Sequence, residues 1–313
     1  MKLEQPFKIY RNLSSIVRYR NNRRITSSLS AKVFRNDACM IDYAKKLLEK
    51  APFLSGKIGG AELMALEFMD HKIKLNWPRG WSWERPARRL YNNAGFFPIE
   101  KKAFHGWHAL MTESIASTDF LSEWQTDPFL RLYENKLIES LAPESKSIKH
   151  DMLSRLILPT IAPFRWLVVS PFVKTMKKQV THLKEIHDPE GKNSIDWDYI
   201  IRTCQFVRCP FQSHLEPSPY ASWEDGLEKL TMEVSSKDFD LALIGAGAWS
   251  LPLGRQIKKM GKSAIHMGGE MQLLFGIRGK RWANGSIYNS AWANSDPEDT
   301  PKNANRVEDG CYW

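Results

Sequence analysis

The chain has 313 residues, 42% of them hydrophobic, so it is long enough for two domains or for one large elaborated α/β domain. Its 45 Lys and Arg residues against 35 Asp and Glu residues give a net charge of +10, which predicts an anionic partner such as nucleotide phosphates, a membrane surface or nucleic acid. We expect no nucleic-acid partner, because the chain shows no zinc-finger spacing, ribonucleoprotein signature or helix-turn-helix pattern.

The cysteines and the apolar segments indicate a cytoplasmic protein. Four cysteines without a CxxC spacing argue against a structural zinc site and favour reduced thiols. The N-terminal segment lacks an apolar core followed by a cleavage site, so we expect no secretory signal. The longest apolar stretch, residues 156–173, contains three prolines and Arg165 and therefore does not predict a membrane-spanning helix.

Residues 1–34 are predicted to form a basic N-terminal arm. Its first 24 residues carry seven Lys or Arg side chains against one acid, Glu4, with apolar residues interleaved. Such a segment either lies on an anionic bilayer or forms a solvated terminal arm. In the first case the protein would be peripheral on the inner face of the cytoplasmic membrane.

A strand-to-helix turn is predicted after the arm. The glycines Gly59 and Gly60 would let phosphates come near, and Glu62 in the first helical turn is well placed to hold a divalent cation. Alternatively, Glu62 only complements the helix dipole. The elements predicted here are a helix over 38–50, a strand over 54–58 and a helix over 61–69.

The segment 77–107 is crowded with aromatic and charged residues. Aromatic faces with hydrogen-bonding neighbours suit sugar rings, and a satellite core under a long loop is the alternative. The residues concerned are Trp77, Trp81, Trp83, Arg85, Arg88, Arg89, Tyr91, Phe96, Phe97, His105 and Trp107.

Strands and helices alternate from about residue 165 to 280. Pro171 and Phe172 follow the first of these strands, and Lys174 begins a basic helix near the place where a diphosphate would lie. A solvated helix face explains the lysines of this helix as well. The predicted elements are strands over 166–170, 204–208, 241–244 and 263–267 and helices over 174–186, 223–235 and 253–259. This order predicts an α/β fold with a Rossmann-like, doubly wound, mostly parallel sheet and helical elaborations.

Two glycine turns follow strands of this sheet. Gly245 and Gly247 follow one strand, and Gly268 and Gly269 follow the next. Glycine lets the backbone approach a ligand at the carboxyl ends of parallel strands, so we expect both turns to bind phosphates. Closure of tight turns alone is the other interpretation. The third glycine and the ribose-binding acid of the dinucleotide fingerprint are missing, which argues against NAD.

Three residues near the predicted crevice are acid–base candidates. Glu62, Glu270 and His266 could take the proton of an acceptor hydroxyl. His266 lies in a strand, so it is also interpreted as a core histidine, and Glu270 as a residue that pairs with a helix dipole. A basic cluster of Arg278, Lys280 and Arg281 follows, which suits phosphate or a lipid-linked acceptor.

Residues 283–313 have the composition of a loop and are predicted to form a C-terminal strap packed on the domain. The strap ends in Tyr312 and Trp313. Large aromatic residues rarely end a disordered tail, so we expect both to dock.

Four blocks occur in a recognisable order in this sequence. They are KIGGAEL at 57–63, YNNAGFFP at 91–98, SPF at 170–172, and GAGAWSLPLG to HMGGEMQLLFGIRGKRW over 245–282. With these blocks the chain resembles bacterial glycosyltransferases with the GT-D fold. The resemblance runs from about residue 35 to the terminal GCYW, and 245–282 is its most specific part.

The resemblance implies a Rossmann-like domain over 35–282, with an acceptor-side part over 35–160 and a nucleotide-binding part over 161–282. It implies a hexosyltransferase-like enzyme that moves a sugar from a nucleotide-sugar, with a UDP-sugar favoured, to a glycan or lipid-diphosphate-linked acceptor in surface polysaccharide synthesis. Two alternatives are an NAD(P)-type oxidoreductase and a non-catalytic scaffold of a polysaccharide assembly complex.

The resemblance also implies a divalent metal, Mn²⁺ or Mg²⁺, on the donor diphosphate. The family motif is Asp-x-Glu, and this chain has Gly60-Ala61-Glu62, so Glu62 matches the second acid and Gly60 replaces the first. Either Glu62 holds the metal with help from elsewhere, or Lys57 and backbone N–H groups bind the donor without metal.

Overall fold

The computed structural model describes residues 45–70, 82–122, 125, 127–147, 158–211, 215–283 and 287–313. The basic arm, the first half of the helix predicted over 38–50 and residues 77–81 of the aromatic-rich segment lie outside the described residues. The membrane-surface prediction for the arm therefore stays a prediction.

Seven strands of the described residues form one parallel sheet in the order β3-β2-β1-β7-β6-β4-β5. This arrangement confirms the predicted α/β fold class with a parallel sheet. The strands are β1 Leu54–Lys57, β2 Phe120–Ser122, β3 Lys146–Ser147, β4 Trp166–Ser170, β5 Gln205–Arg208, β6 Leu241–Ile244 and β7 Ser263–His266.

Helices cover both faces of the sheet, as a parallel sheet requires. The α-helices that follow β1 in the described residues are α1 Gly60–Met69, α2 Glu84–Ala94, α3 Lys101–Ala116, α4 Pro128–Leu141, α5 Leu158–Ile161, α6 Val173–Gln179, α7 Leu183–His187, α8 Trp197–Thr203, α9 Trp223–Ser235, α10 Ser250–Lys259 and α11 Glu270–Leu274. Short 3₁₀ helices span Val180–His182, Gly247–Trp249, Lys280–Trp282, Pro297–Asp299, Ala304–Arg306 and Glu308–Gly310.

Two hydrophobic cores follow from the alternation of side chains along each strand. In β4, Leu167 and Val169 join the core beneath α1, α3, α9 and α10, whereas Trp166 and Val168 join the core beneath α6, α8 and α11. The whole of β4 is buried. An apolar run without polar alternation is thus what a central strand covered on both faces needs.

Side-chain caps fix where several helices begin. The Asp127 carboxylate accepts hydrogen bonds from the backbone N–H groups of residues 129 and 130 at the start of α4. Ser222 accepts from the N–H of Asp225 at 3.1 Å, and Asp196 accepts from the N–H of Tyr199 at 2.8 Å. Such caps satisfy N–H groups that have no partner within the helix.

Most predicted elements have the expected positions, and β4, β6 and α9 have the expected bounds. The basic helix predicted over 174–186 is instead α6, a 3₁₀ turn over Val180–His182, and α7. The neighbouring β-branched residues Val180 and Thr181 lower helix propensity at the point of the break. The apolar stretch 156–173 is divided, over its described part, among α5, β4 and the start of α6.

The centre of the sheet brings distant parts of the chain together. β1 pairs with β7, with Ser55 opposite Ile265, and β6 pairs with both β7 and β4. The turns that follow β1, β4, β6 and β7 therefore meet at one edge. Among the described residues, no helix combines the length and apolarity that crossing a membrane requires.

Candidate functional site

An open cleft of about 150 Å³ lies at the carboxyl ends of β1, β4, β6 and β7. One water needs roughly 10–15 Å³ on a comparable measure, so the cleft has room for a polyatomic ligand. Open α/β sheets bind ligands at this edge. The predicted site residues that line the cleft are Lys57, Gly59, Gly60, Glu62, Pro171, Phe172, Gly245, Gly247, His266, Gly268 and Gly269.

Lys57 is the last residue of β1 and carries a buried cation into the cleft. Only 8% of the residue is exposed, and its burial lowers the pKa of the ammonium group to about 8, while the negative charge of Glu270 opposes this shift. Its side chain reaches the turn after β7, where a Cβ atom on Gly268 would lie 2.9 Å from Cε. The glycine thus makes room for the lysine.

Glu62 lies in the first turn of α1 and is buried. Burial raises the pKa of its carboxyl group to about 7, with a further contribution from the charge of Glu308, and the charge of Lys57 acts in the opposite direction. A Cβ atom on Gly59 would lie 2.1 Å from Oε2 of Glu62, so the carboxylate folds back over the start of the helix. This geometry fits the helix-dipole interpretation, and the same carboxylate lines the cleft.

Glu270 and Lys174 are the two predicted site residues that do not line the cleft. Glu270 begins α11 and acts on the cleft indirectly, since its charge favours the protonated form of Lys57. Lys174 forms ion pairs with Glu298 and, at 3.7 Å, with Asp296. The strap therefore holds the Lys174 ammonium group outside the cleft, contrary to the position expected from the sequence.

His266 is the last residue of β7 and is 5% exposed. Its Nδ1 atom lies 3.4 Å from the carbonyl oxygen of Ile244 on the neighbouring strand. The ring is thus held within the sheet, as expected of a core histidine, while it also contributes to the wall of the cleft.

The glycines after β6 are required by packing as well as by any ligand. Gly247 has φ +54°, and a Cβ atom there would lie 2.6 Å from the carbonyl oxygen of Ala94. A Cβ atom on Gly245 would lie 2.8 Å from Cγ of Met271. Close packing in the turn is therefore enough to explain why both positions are glycine. Phosphate binding at this turn stays a prediction.

The cleft also contains Arg281, which belongs to the basic cluster predicted to suit phosphate, and Glu308, which was not predicted as part of the site. Arg281 and Glu308 form an ion pair across the cleft wall, and the guanidinium group of Arg281 lies 4.6 Å from the ring centre of Tyr312. The basic cluster and the docking aromatics were visible in the sequence, but their location at the cleft was not.

Three aromatic rings form a cluster in the cleft wall. The ring centres of Phe172 and Phe211 are 5.5 Å apart, and those of Phe172 and Trp313 are 5.7 Å apart. Trp313 is fixed because its Nε1 atom donates to the carbonyl oxygen of Asp299 at 2.9 Å. The expectation that the terminal aromatics dock is confirmed.

The described residues do not fit a divalent metal held by a cage of side chains. No group of three or more His, Cys, Asp or Glu side chains within the described ranges is arranged to hold a metal ion. Hard divalent cations need several oxygen ligands. Of the described residues that line the cleft, only Glu62 and Glu308 carry side-chain carboxylates. Glu62 folds over the start of its own helix and Glu308 is paired with Arg281, so the lining does not offer the several oxygen ligands that a divalent cation needs.

Comparisons with known proteins give little beyond this geometry. No family model matches the chain, and no curated protein matches it. Two solved structures are similar to it at 10% sequence identity, each over 83% of this chain and 96% of the other, with TM-scores of 0.36 and 0.37. One is described as the selenomethionine-substituted structure of domain of unknown function 1792, and the other as showing that this domain has a distinct glycosyltransferase fold. Likeness at this level carries no argument about the site.

Proposed function

We propose that this chain is a glycosyltransferase that binds a nucleotide-sugar in the cleft and transfers the sugar to a glycan or lipid-diphosphate-linked acceptor. A UDP-sugar is the favoured donor, and surface polysaccharide synthesis is the proposed context. The observation that carries the proposal is the buried Lys57 ammonium group, which lies beside Gly268 at the carboxyl edge of a parallel sheet.

Two cations in one cleft suit a diphosphate leaving group. Lys57 and Arg281 both line the cleft, and Gly268 and Gly269 leave the backbone of the turn after β7 accessible between them. Negative charge builds on the nucleoside diphosphate when the glycosidic bond to the sugar breaks. Preorganised cations and backbone N–H groups in a partly dry site stabilise that charge.

The acceptor side of the reaction needs a proton acceptor, and Glu62 fits that role. A carboxyl group with a pKa of about 7 is partly ionised at neutral pH and is basic enough to take a hydroxyl proton as the hydroxyl attacks. We propose Glu62 as the general base and Glu270 as the residue that keeps Lys57 protonated. His266 then has a structural role in the sheet.

We propose that the diphosphate is bound by side-chain cations and backbone N–H groups without a protein-held metal. Gly60 stands where the resembled family has its first acid, and Lys57 lines the same cleft as Glu62. A bound Mn²⁺ or Mg²⁺ would supply the same kind of charge stabilisation as these cations. We therefore expect sugar transfer to continue when a chelator removes divalent cations from the solution.

The proposal is tested with the full chain and a panel of UDP-, GDP-, CMP- and TDP-sugars, with NAD and NADP as the comparison. We expect a thermal shift and release of nucleoside diphosphate for one base only. Lys57→Ala should weaken binding of that nucleotide at least tenfold, whereas Lys177→Ala, which removes an exposed lysine of α6, should leave it unchanged. A shift with NAD alone would favour the oxidoreductase, and no response to any nucleotide would favour the scaffold.

Association with an anionic membrane surface is proposed for the basic arm. Deleting residues 1–24 removes seven basic side chains and should lower co-sedimentation with liposomes that contain anionic lipid. Added salt should weaken the same binding, because it screens surface charge. Equal sedimentation with and without the arm would contradict this proposal.

A further inference from the structure

Arg281 is the second cation of the cleft, and its partners come from the strap. Its Nη2 atom forms an ion pair with Glu308 and donates to Sγ of Cys311 at 3.1 Å. Its guanidinium group also stacks on Tyr312, 4.6 Å from the ring centre. The strap thus surrounds a side chain that also lines the ligand cleft.

Glu308 places its carboxylate where an anionic ligand would meet this arginine. Glu308 and Arg281 both line the cleft together with Lys57 and Glu62. Carboxylate and phosphate oxygens satisfy the guanidinium donors in the same geometry. The Glu308 carboxylate therefore stands where a phosphate oxygen would bind Arg281.

The position of Glu308 carries an electrostatic cost within the chain. Its negative charge acts on the buried Glu62 and raises the pKa of that carboxyl group. Two carboxylates in one cleft repel each other, and this repulsion ends when the Glu308 side chain turns outward. Its side chain is 41% exposed, so it can reach solvent without moving a buried group.

The backbone at this point makes a tight turn. Glu308 and Asp309 have φ angles of +46° and +57°, which residues other than glycine rarely adopt. Beyond the turn the strap has its own anchors, since Gln272 donates to the carbonyl oxygen of Tyr312 at 2.6 Å and Trp313 donates to that of Asp299. Rotation of the Glu308 side chain therefore does not require the strap to open.

We propose that Glu308 is an internal occupant of a phosphate-binding site at Arg281, and that the diphosphate of the bound nucleotide displaces it. The proposal rests on the proposed function for the identity of the anion. A tethered carboxylate has a high effective concentration, so a ligand must carry more charge than a single carboxylate to replace it. The pair thereby selects a diphosphate over singly charged ligands and makes Arg281 a specificity-determining residue.

The test is calorimetric titration of the full chain with inorganic pyrophosphate and with UDP. Glu308→Gln should bind pyrophosphate at least fivefold more tightly than the unsubstituted chain. Asp309→Asn is the matched control, because it removes one negative charge from the next residue, which does not line the cleft. We expect its dissociation constant to stay within twofold of the original value.

Arg281 provides the second arm of the test. Arg281→Gln should weaken pyrophosphate binding at least tenfold, and the double variant with Glu308→Gln should show no gain over Arg281→Gln alone. Circular dichroism establishes that each variant is folded, and Glu308→Ala replaces Glu308→Gln if the latter does not fold. No gain in the Glu308 variants, or an equal gain in Asp309→Asn, would overturn the proposal.

The outcomes also separate this inference from the proposed function. If pyrophosphate binding follows the expected pattern but no nucleotide-sugar binds or is cleaved, the glycosyltransferase proposal fails and the role of Glu308 stands. If a nucleotide-sugar is cleaved and Glu308→Gln binds UDP and pyrophosphate no more tightly, the role of Glu308 alone fails.

Discussion

The ammonium group of Lys57 lies against Gly268, so closely that a Cβ atom on the glycine would be 3.4 Å from Nζ. The two residues are far apart in sequence, and the pairing of β1 with β7 brings them together. A cation at the end of one strand thus faces the glycine turn after its neighbour, and this relationship defines the proposed diphosphate site.

Gly268→Ala should damage this site beyond its effect on stability. The added methyl group would push the Lys57 side chain away, and φ +57° adds strain of roughly 1–2 kcal/mol in the free energy of unfolding. Gly261→Ala is the matched control, since Gly261 has φ +77° and no atom within 4 Å of a Cβ. Urea unfolding should show a similar loss in both variants, while calorimetry should show weaker pyrophosphate binding in Gly268→Ala only. Equal binding by the two variants would remove Gly268 from the site.

The rate of sugar transfer should have a narrow pH optimum. Glu62 must lose its proton to act as a base and has a pKa of about 7, whereas Lys57 must keep its proton and has a pKa of about 8. We expect kcat/KM to rise as the pH passes 7 and to fall as it passes 8. Glu62→Gln should remove the acidic limb and lower kcat by roughly 10²- to 10⁴-fold. Lys57→Arg, which keeps its charge at high pH, should move the alkaline limb upward. A profile that is unchanged in Glu62→Gln would exclude Glu62 as the base.

The stability of the protein should depend on the protonation of Glu62. Burial raises the pKa of this carboxyl group from 4.5 in the unfolded chain to about 7, so the folded state binds the proton more tightly. The resulting stabilisation is complete below pH 4.5 and is lost as the pH rises through 7. The loss amounts to about 3 kcal/mol in the free energy of unfolding. Urea unfolding of the unsubstituted chain and of Glu62→Gln between pH 4 and 8 measures this loss, because the difference between their free energies of unfolding should change as the pH rises. A difference that is the same at every pH would contradict the raised pKa of Glu62.

Gly60→Asp should create a metal site at the turn that follows β1. A Cβ atom on Gly60 would be 3.8 Å from the nearest atom, on the Gln125 amide, so the turn has room for a side chain. The variant would then carry Asp-x-Glu over residues 60–62, two carboxylates in one helical turn. We expect it to bind Mn²⁺ measurably by calorimetry, whereas Gly60→Asn, of similar size and without the charge, should not. Absence of binding in Gly60→Asp would show that positions 60 and 62 cannot share an ion.

Asp299 should be the main anchor of the strap. Its buried carboxylate accepts from the backbone N–H and the hydroxyl group of Thr175 at 2.6 and 2.8 Å and from Arg208 at 2.8 Å. Asp299→Ala leaves these donors without their acceptor and should lower the free energy of unfolding by about 2–4 kcal/mol. Glu298→Ala, at the residue before Asp299, removes an exposed partner of Lys174 and should lower the free energy of unfolding much less. Urea unfolding of the two variants and of the unsubstituted chain measures both losses. Equal losses in the two variants would contradict this ranking.

The central strands were predictable because a short run of the sequence is enough to indicate each of them. The run Leu241–Ile244 is apolar at every position, is bounded by glycine on one side, and is buried on both faces. The strands β2 and β3 at one end of the sheet were not predicted, because they have three and two residues and are defined only by their pairing with β1 and with each other.

The parts of the site that follow a strand directly were predictable as well. Lys57 and Gly268 are fixed by the ends of β1 and β7, so their arrival at one edge follows from a parallel sheet. Lys174 was placed in the cleft by the same reasoning, but its position depends on Glu298 and Asp296 of the strap, more than 100 residues away. No local pattern in the sequence indicates that contact.

The amino-acid sequence by itself determined the alternation of strands and helices, the glycine turns and the excess of positive charge, because these depend on short-range patterns of burial, backbone freedom and composition. Only the tertiary structure decided that Arg281 meets Glu308, that Trp313 packs on Phe172, and that Glu62 is buried beside Lys57. Such pairings are set by how the strap and the strand order close around the sheet, and the free energy that selects them comes from contacts between residues that the chain separates.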